Sequence, residues 1–479
     1  MLAVVVVVII LLAAGGAYYY YSTLPTTPST TSMTSSMMTS APMVSTSSPT
    51  LSGSITVAAE AGYSDSALKQ IAKDFMAQYP GTTVNVVLVA YDTALTDYTT
   101  AFSANQSVYD VMIVPNVGYL GPLSQYLLNF EPYLSNTAYF PASYNYSDII
   151  PSLLSPFTIQ GNLYGLPYSS DTMLFFYRPS YFNSVTNQQA FQAQYGYALP
   201  NPANTTFTVQ QLVDVANFFN GKHGAKYGII EMTGPGDDDM LDSIIQLYSG
   251  GRTANSATYG PVAAPYGALF TANGQILTNT TSFQTTMAAF VQLIKASENP
   301  LTASFESVTG TFASGDAPMF IYWSTPVFVL GNSTSSSIVN DWAVAPTMPG
   351  GVSNNGGEAL SIFKYTRNLP LALAFAAFAT NPTESINYMK LNSLLPARYS
   401  GFSYATQYLG LSQQIVKIFL SNLASSVQGV SNVPYWPQIS TYIRGEVPSI
   451  YSGSVTVAQG CSVITSESVQ AGATAYTDG

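Results

Sequence analysis

Cysteine, histidine and charge are all scarce in this 479-residue chain. One cysteine, Cys461, and one histidine, His223, exclude an intramolecular disulfide and a zinc site built from four nitrogen or sulfur ligands of one chain. A Ser-His-Asp triad would have to use His223, but Gly221-Lys222-His223-Gly224 reads as a surface turn that fits no triad template. Cys461 has no partner in the sequence and reads as a small packed hydrophobe. Charged residues make up 8% of the chain, while 47% is hydrophobic and 13% aromatic, which excludes ordinary disorder for its bulk. Thirteen Lys plus Arg against twenty-four Asp plus Glu give a net charge of -11. Nucleic acid is therefore not an expected partner, because the cationic surface its phosphates require is missing. The length predicts two to four folding units at about 100–200 residues each.

Charge is absent altogether from Met1 to Ala59; Glu60 is the first charged residue and Lys69 the first basic one. Leu2 to Ala17 is an unbroken apolar and glycine run, followed by four tyrosines, Tyr18 to Tyr21. About twenty helical residues span bilayer hydrocarbon, so residues 1–21 are expected to form a membrane helix with an aromatic belt. The basic region that opens a secretory signal is missing. Either a charged leader is removed just before Met1, as in archaeal pilin-like signal peptides, or the true start differs from Met1. Ser22 to Ser54 contains twenty Ser or Thr and four Pro, too few large apolar side chains for a core; residues 22–53 are expected to be an extended stalk. Asn105, Asn145, Asn204, Asn279 and Asn332 head N-x-S/T sequons and are glycosylation candidates.

Beyond the stalk, strand-like and helix-like segments alternate. Ser54 to Ala59 and Val84 to Val89 read as strands, and Val111 to Val114 as a short buried strand closed by Pro115. Ala67 to Tyr79, with apolar Leu68, Ile71, Ala72, Phe75 and Met76, and Asp92 to Ala104 read as helices. That alternation predicts parallel βαβ units and an open α/β sheet with ligands beyond the carboxyl ends of its strands. Thr208 to Asn220 and Met240 to Tyr248 are further amphipathic helices. Asp237, Asp238 and Asp239 precede the second one, where the helix dipole accounts for them more simply than a calcium site does. Leu369 to Ala379 is nearly all apolar and too short to span a bilayer, hence a buried core helix.

The order of these segments resembles the extracellular solute-binding proteins of ABC importers, of the maltose-binding type (family 1). The resemblance rests on ALKQIAKDFMAQYPG, on YDVMIVPNVGYLGPLSQYLLNFEPYL and on GNLYGLPYSSDTMLFFYRPSYF with its G-x-x-Y-G-x-P-Y hairpin. FASGDAPMFIYW, DWAVAPTMPGG, the GGEALSIFKYTRNLPLALAFAAFATNPTES stretch and LLPARYSG follow in order. It implies a two-lobed, type II periplasmic-binding-protein-like α/β fold with a hinge. Lobe one would comprise residues 54–168 and 343–397, lobe two 169–342 and 398–479. The chain would cross near Pro167 to Asp171, Asp341 to Pro346 and Leu395 to Ser400. The implied ligand contacts are Glu60, Gly62, Tyr63, Asn116, Asp171, Trp323, Gly357 and Glu358, with Tyr435 and Trp436 from the carboxyl-terminal region. No Trp stands in the DVMIVPNVGYL loop, which argues against a long stacked maltodextrin.

Carboxylates and amides accept a sugar's hydroxyl protons while aromatic rings cover its C–H faces, so these residue types suit a neutral mono- or short oligosaccharide. The resemblance implies a cell-surface receptor, anchored in the membrane, that hands a sugar to ABC permease subunits without catalysis, cofactor or metal. A second reading is a pilin-like subunit whose amino-terminal helices self-assemble into a filament or surface array. An oligopeptide ligand is a further alternative. A glycoside hydrolase would need two acids about 5–10 Å apart, and no such pair stands out from the sequence.

Overall fold

The computed structural model describes residues 51–61, 64–104, 106–236, 239–392 and 394–477. The expected amino-terminal helix, the stalk up to residue 50, Gly62, Tyr63, Asn105, Asp237 and Asp238 lie outside the described residues. Among the described residues no helix is long and apolar enough to cross a membrane. The stalk boundary moves inward, because Leu51 is buried in the first core and strand β1 (Gly53–Glu60) already starts at Gly53.

After β1 come α1 (Asp65–Gln78), β2 (Thr82–Val89), α2 (Tyr91–Ser103) and β3 (Val111–Pro115). Helix α1 buries Ala67, Leu68, Ile71, Ala72 and Phe75, the face that its apolar spacing predicts, and it ends at Pro80-Gly81, where Gly81 takes a φ of 92°. β1 pairs in parallel with β2 from Gly53↔Thr82 to Glu60↔Val89, and with β3 at Val57↔Val111. The chain then reaches β4 (Leu166–Pro167), β5 (Ser169–Thr172) and β6 (Leu174–Tyr177). Helix α3 (Val209–Phe219) opens with a capping box in which the Gln211 N–H donates to the Thr208 hydroxyl and the Thr208 N–H to the Gln211 side chain. Helix α4 (Met240–Ala254), β7 (Met319–Tyr322), β8 (Ala343–Val344), β9 (Asn355–Gly356), β10 (Glu358–Ile362), α5 (Leu369–Ala379), β11 (Leu395–Pro396) and α6 (Trp436–Ser452) follow.

The strands form a five-stranded sheet ordered β2-β1-β3-β10-β4 and a three-stranded sheet ordered β7-β6-β8. Each belongs to its own hydrophobic core. One core gathers residues from Leu51 to Tyr168 and from Ala359 to Leu394; the other gathers Met173 to Met348 with the chain from Leu395 to Ala473, joined by Ile150, Leu153 and Met389. The result is a two-lobed α/β architecture.

A third small sheet, β9-β5-β11, carries the chain between the lobes. Thr172 pairs with Asn355 and Asp171 with Gly356, while Ser170 pairs with Leu395 and Ser169 with Pro396. All three crossings are thus hydrogen-bonded side by side. The second crossing differs from the expectation of Asp341 to Pro346. Ala343–Val344 instead fills the free edge of β6 (Ala343↔Tyr177), and Val344, Ala345 and Met348 are buried in the lobe-two core. The chain passes over only at Asn355–Gly356, so residues 343–354 belong to lobe two.

Candidate functional site

Between the two cores lies a cavity of about 580 Å³, within the roughly 300–1,000 Å³ range of small-molecule sites. The ends of the lobe-one strands build one wall. Glu60 ends β1, Pro115 and Asn116 end β3, and Glu358 opens the antiparallel β10 directly opposite Pro115, so all project from one edge of the sheet. Tyr91, just past β2, and Tyr119 add two rings whose centroids are 6.3 Å apart. Asp171 and Gly356 come from the hinge strands. Asp239, Asp242, Phe305, Trp323 and Arg444 make the opposite wall from lobe two.

Trp323, immediately after β7, is 9% exposed and lines the cavity. Its indole N–H donates to Asp242 Oδ2 at 3.2 Å, and a Cβ added at Gly356 would lie 2.5 Å from its ring. The hinge strand therefore needs glycine to let the ring approach the backbone so closely. Gly357 has a φ of 106°, a conformation that side chains disfavour, and it turns the chain out of the hinge sheet toward Glu358.

The carboxyl groups differ in their partners. Asp171 Oδ1 accepts N–H bonds from Thr172 at 2.7 Å and Ser324 at 3.0 Å; burial nevertheless pushes its pKa up to about 6. Asp239 accepts from Phe305 N–H at 2.6 Å and Gly236 N–H at 3.1 Å. Its side chain makes no capping bond to its own helix, so loop-to-loop bridging explains this aspartate better than the dipole account. Glu358 is 3% exposed, no N–H group or cation reaches its oxygens among the described residues, and its polar neighbours are the Ser169 hydroxyl and the carboxyl of Glu60. Burial and the charge of Glu60 beside it raise its pKa well above the carboxylate range, with Ser169 acting weakly the other way. Burial also raises Glu60, offset in part by a hydrogen bond shared with Glu358. Two carboxyl groups so close repel one another when both are ionised. Asn116 donates through Nδ2 to Asn355, at 3.0 Å to its carbonyl and 3.1 Å to Oδ1, which leaves its own buried Oδ1 without a donor.

Of the expected contacts, the structure brings Glu60, Asn116, Asp171, Trp323, Gly357 and Glu358 together around the cavity. Tyr435 and Trp436 are not among its lining residues. Trp436 is buried, its ring pressed onto Gly118 so closely that a Cβ there would overlap it, which makes it a packing residue at the start of α6. Tyr91, Tyr119, Asp242, Phe305 and Arg444 were not anticipated. Tyr119 sits in the DVMIVPNVGYL loop, where the absence of Trp had drawn notice, so that loop does supply a ring. Phe305 and Arg444 had no sequence signal. His223 forms a turn with a φ of 53° and stacks on Phe218 at 4.0 Å. Arg178 pairs with Asp341 at 2.9 Å and buried Arg398 with Asp148 at 3.6 Å, both outside the cavity. Asn145, Asn204, Asn279 and Asn332 are exposed. Among the described residues no group of three His, Cys, Asp or Glu is placed to hold a metal.

The family model for bacterial extracellular solute-binding proteins matches residues 60–385. The chain belongs to that family. Its members bind solutes as components of transport systems, and the family description places them outside the cytoplasm. Solved structures share the fold. Maltose-bound MalE3 of T. maritima is 17% identical, with a TM-score of 0.64 over 86% of this chain and 98% of that one. An ABC transporter solute-binding protein of Thermotoga lettingae bound with α-D-tagatose is 20% identical, with a TM-score of 0.66 over 88% and 100%. One from Agrobacterium vitis with bound D-mannitol is 16% identical, with a TM-score of 0.63 over 88% and 99%. No curated protein sequence matches the chain.

Proposed function

We propose that this solute-binding protein captures a saccharide or polyol between its two lobes and presents it to the permease of an ABC importer, with no covalent step. The observation that carries the reading is the cavity's composition. Carboxylates and an amide oxygen supply acceptors for hydroxyl protons, and Tyr91, Tyr119, Phe305 and Trp323 supply flat apolar faces for C–H groups. Such a pairing suits a ligand that is polar at its edge and apolar on its face. The related structures with maltose, tagatose and mannitol add support from the same fold.

The mechanism is a population shift. A ligand touching Glu60 and Asn116 on one wall and Asp242 and Trp323 on the other favours any arrangement that holds both walls against it, and only that differential contact moves the hinge. Ser169–Thr172, Asn355–Gly356 and Leu395–Pro396 would rotate as one unit because they share a ladder. Calorimetry against a panel of mono-, di- and trisaccharides and sugar alcohols tests the proposal. Saturable binding to wild type that is lost in Trp323→Ala is expected; binding of peptides and of no saccharide would overturn it.

A further inference from the structure

The cavity wall holds more acid than a neutral ligand explains. Five carboxyl-bearing side chains, Glu60, Asp171, Asp239, Asp242 and Glu358, face it against one guanidinium, Arg444. Three of the five are already engaged. Asp171 and Asp239 each accept two backbone N–H bonds, and Asp242 accepts the Trp323 indole N–H. Arg444 reaches the carbonyl of Pro235 at 2.6 Å and the hydroxyl of Ser440 at 3.2 Å, which fixes it at the Gly236–Asp239 side of the cavity.

Lobe one is different. Glu358 is buried, its carboxyl oxygens receive no N–H bond and face no cation among the described residues, and beside the Ser169 hydroxyl its polar neighbour in the cavity is another carboxyl, Glu60. Asn116 is held next to it by its N–H to the Gly357 carbonyl at 2.9 Å, and its Oδ1 also lacks a donor. Buried acceptors without donors are uncommon, because each forfeits its hydration without compensation. Here three acceptor atoms, the two of Glu358 and Asn116 Oδ1, sit at one end of a cavity where no N–H group or cation of the described residues serves them.

The missing group is a donor-rich one. A hydroxyl brings a single proton and leaves two adjacent carboxylates still in need of another. A primary ammonium brings three donors, no acceptor, and a positive charge that relieves the repulsion between the pair. Among the described residues no group of three His, Cys, Asp or Glu gathers here for a metal ion. We propose that the cavity selects amine-bearing saccharides or polyols, with a primary ammonium seated against Glu60, Glu358 and Asn116 Oδ1 and the hydroxylated body extending toward Trp323 and Asp242. This rests on the saccharide reading above and narrows it.

Matched pairs that differ by one group test it by calorimetry at constant pH: D-glucose and D-glucosamine, D-galactose and D-galactosamine, sorbitol and 1-amino-1-deoxysorbitol. At least one amine is expected to bind about tenfold or more tightly than its hydroxyl partner, and its N-acetylated form, which keeps the skeleton and loses the charge, is expected to lose that advantage. In Glu358→Gln and, separately, Glu60→Gln, each checked for a native melting transition, the amine-to-hydroxyl affinity ratio is expected to collapse toward unity. If no amine binds more tightly than its partner, the inference is overturned, while binding of neutral sugars would leave the saccharide reading intact. Binding of peptides with no saccharide bound, charged or neutral, would overturn both.

Discussion

On the hinge and lobe-two side of the cavity, Asp171, Asp239 and Asp242 each receive N–H donors from the protein, whereas on the lobe-one side Glu358 meets no N–H donor among the described residues and its neighbour is the carboxyl of Glu60. The same residue type thus serves two ends. Where donors are supplied internally, the carboxylate fixes loops: Asp239 ties Gly236 to Phe305, and Asp242 orients the Trp323 ring. Where they are withheld, the carboxyl is open to the proposed ligand, and the protein holds a buried pair at some expense to its stability. The contrast teaches that burial alone does not mark a binding acid: Glu231 and Glu298 also hold buried oxygens without a partner, yet neither lines the cavity, so it is the position of Glu358 at the cavity wall that sets it apart.

The largest effect that would break this comparison lies at Trp323. Trp323→Ala removes the ring face and strands Asp242, so saccharide affinity is expected to fall about a hundredfold or more, measured by calorimetry with melting as a check on folding. An unchanged Kd would place the ligand elsewhere. Next, the two walls should respond oppositely in stability. Asp239→Asn removes acceptor capacity from Phe305 and Gly236 N–H groups and is expected to cost about 1–3 kcal/mol in urea unfolding. Glu358→Gln at pH 7.5 relieves a buried like-charge pair and is expected to leave stability equal or higher. If both variants lose the same amount, the distinction between the walls fails.

The pH dependence sharpens the comparison further. Folded Asp171, raised to about 6, and Glu358, raised well above its usual range, hold protons that the unfolded chain has already released near pH 4. Glu231, buried in the lobe-two core and raised to about 8, adds to this. The folded state binds more protons, so ligand-free stability is expected to fall as pH rises from about 4 toward 8, and more gently in Glu358→Gln. A melting temperature that climbs over that range would contradict it. The smallest effect is expected at Trp436. Trp436→Phe loosens the contact with Gly118 and lowers the melting temperature, yet saccharide affinity should stay within about threefold, roughly 0.6 kcal/mol.

What could be read in the sequence was what local spacing controls. The apolar face of α1, the start of α3 at Thr208 and the bounds of α5 follow from side-chain periodicity and caps, and the structure shows them at the expected residues. Helix α4 extends past the expected Tyr248 to Ala254 through Ser249-Gly250-Gly251, because the close approach of Gly250 to Gly350 rewards a residue without a side chain. The second crossing was misplaced because Ala343–Val344 has no local mark that distinguishes a hinge strand from an edge strand of β6. At the site, Glu60, Asn116 and Glu358 were legible through the family resemblance, which implies ligand contacts at those positions. Phe305 and Arg444 reach the cavity through tertiary packing that leaves no trace in their neighbours. Trp436 shows the reverse: the right residue type in the right region, turned aside by a glycine some three hundred positions earlier.

The central claim is that one saccharide touches both walls at once. Hydrogen exchange measured with and without a saturating saccharide tests it directly. The account predicts slowed exchange together in residues 115–119 and 356–358 on one side and in 239–242 and 323–324 on the other. Protection confined to one lobe, or appearing away from the cavity, would contradict it.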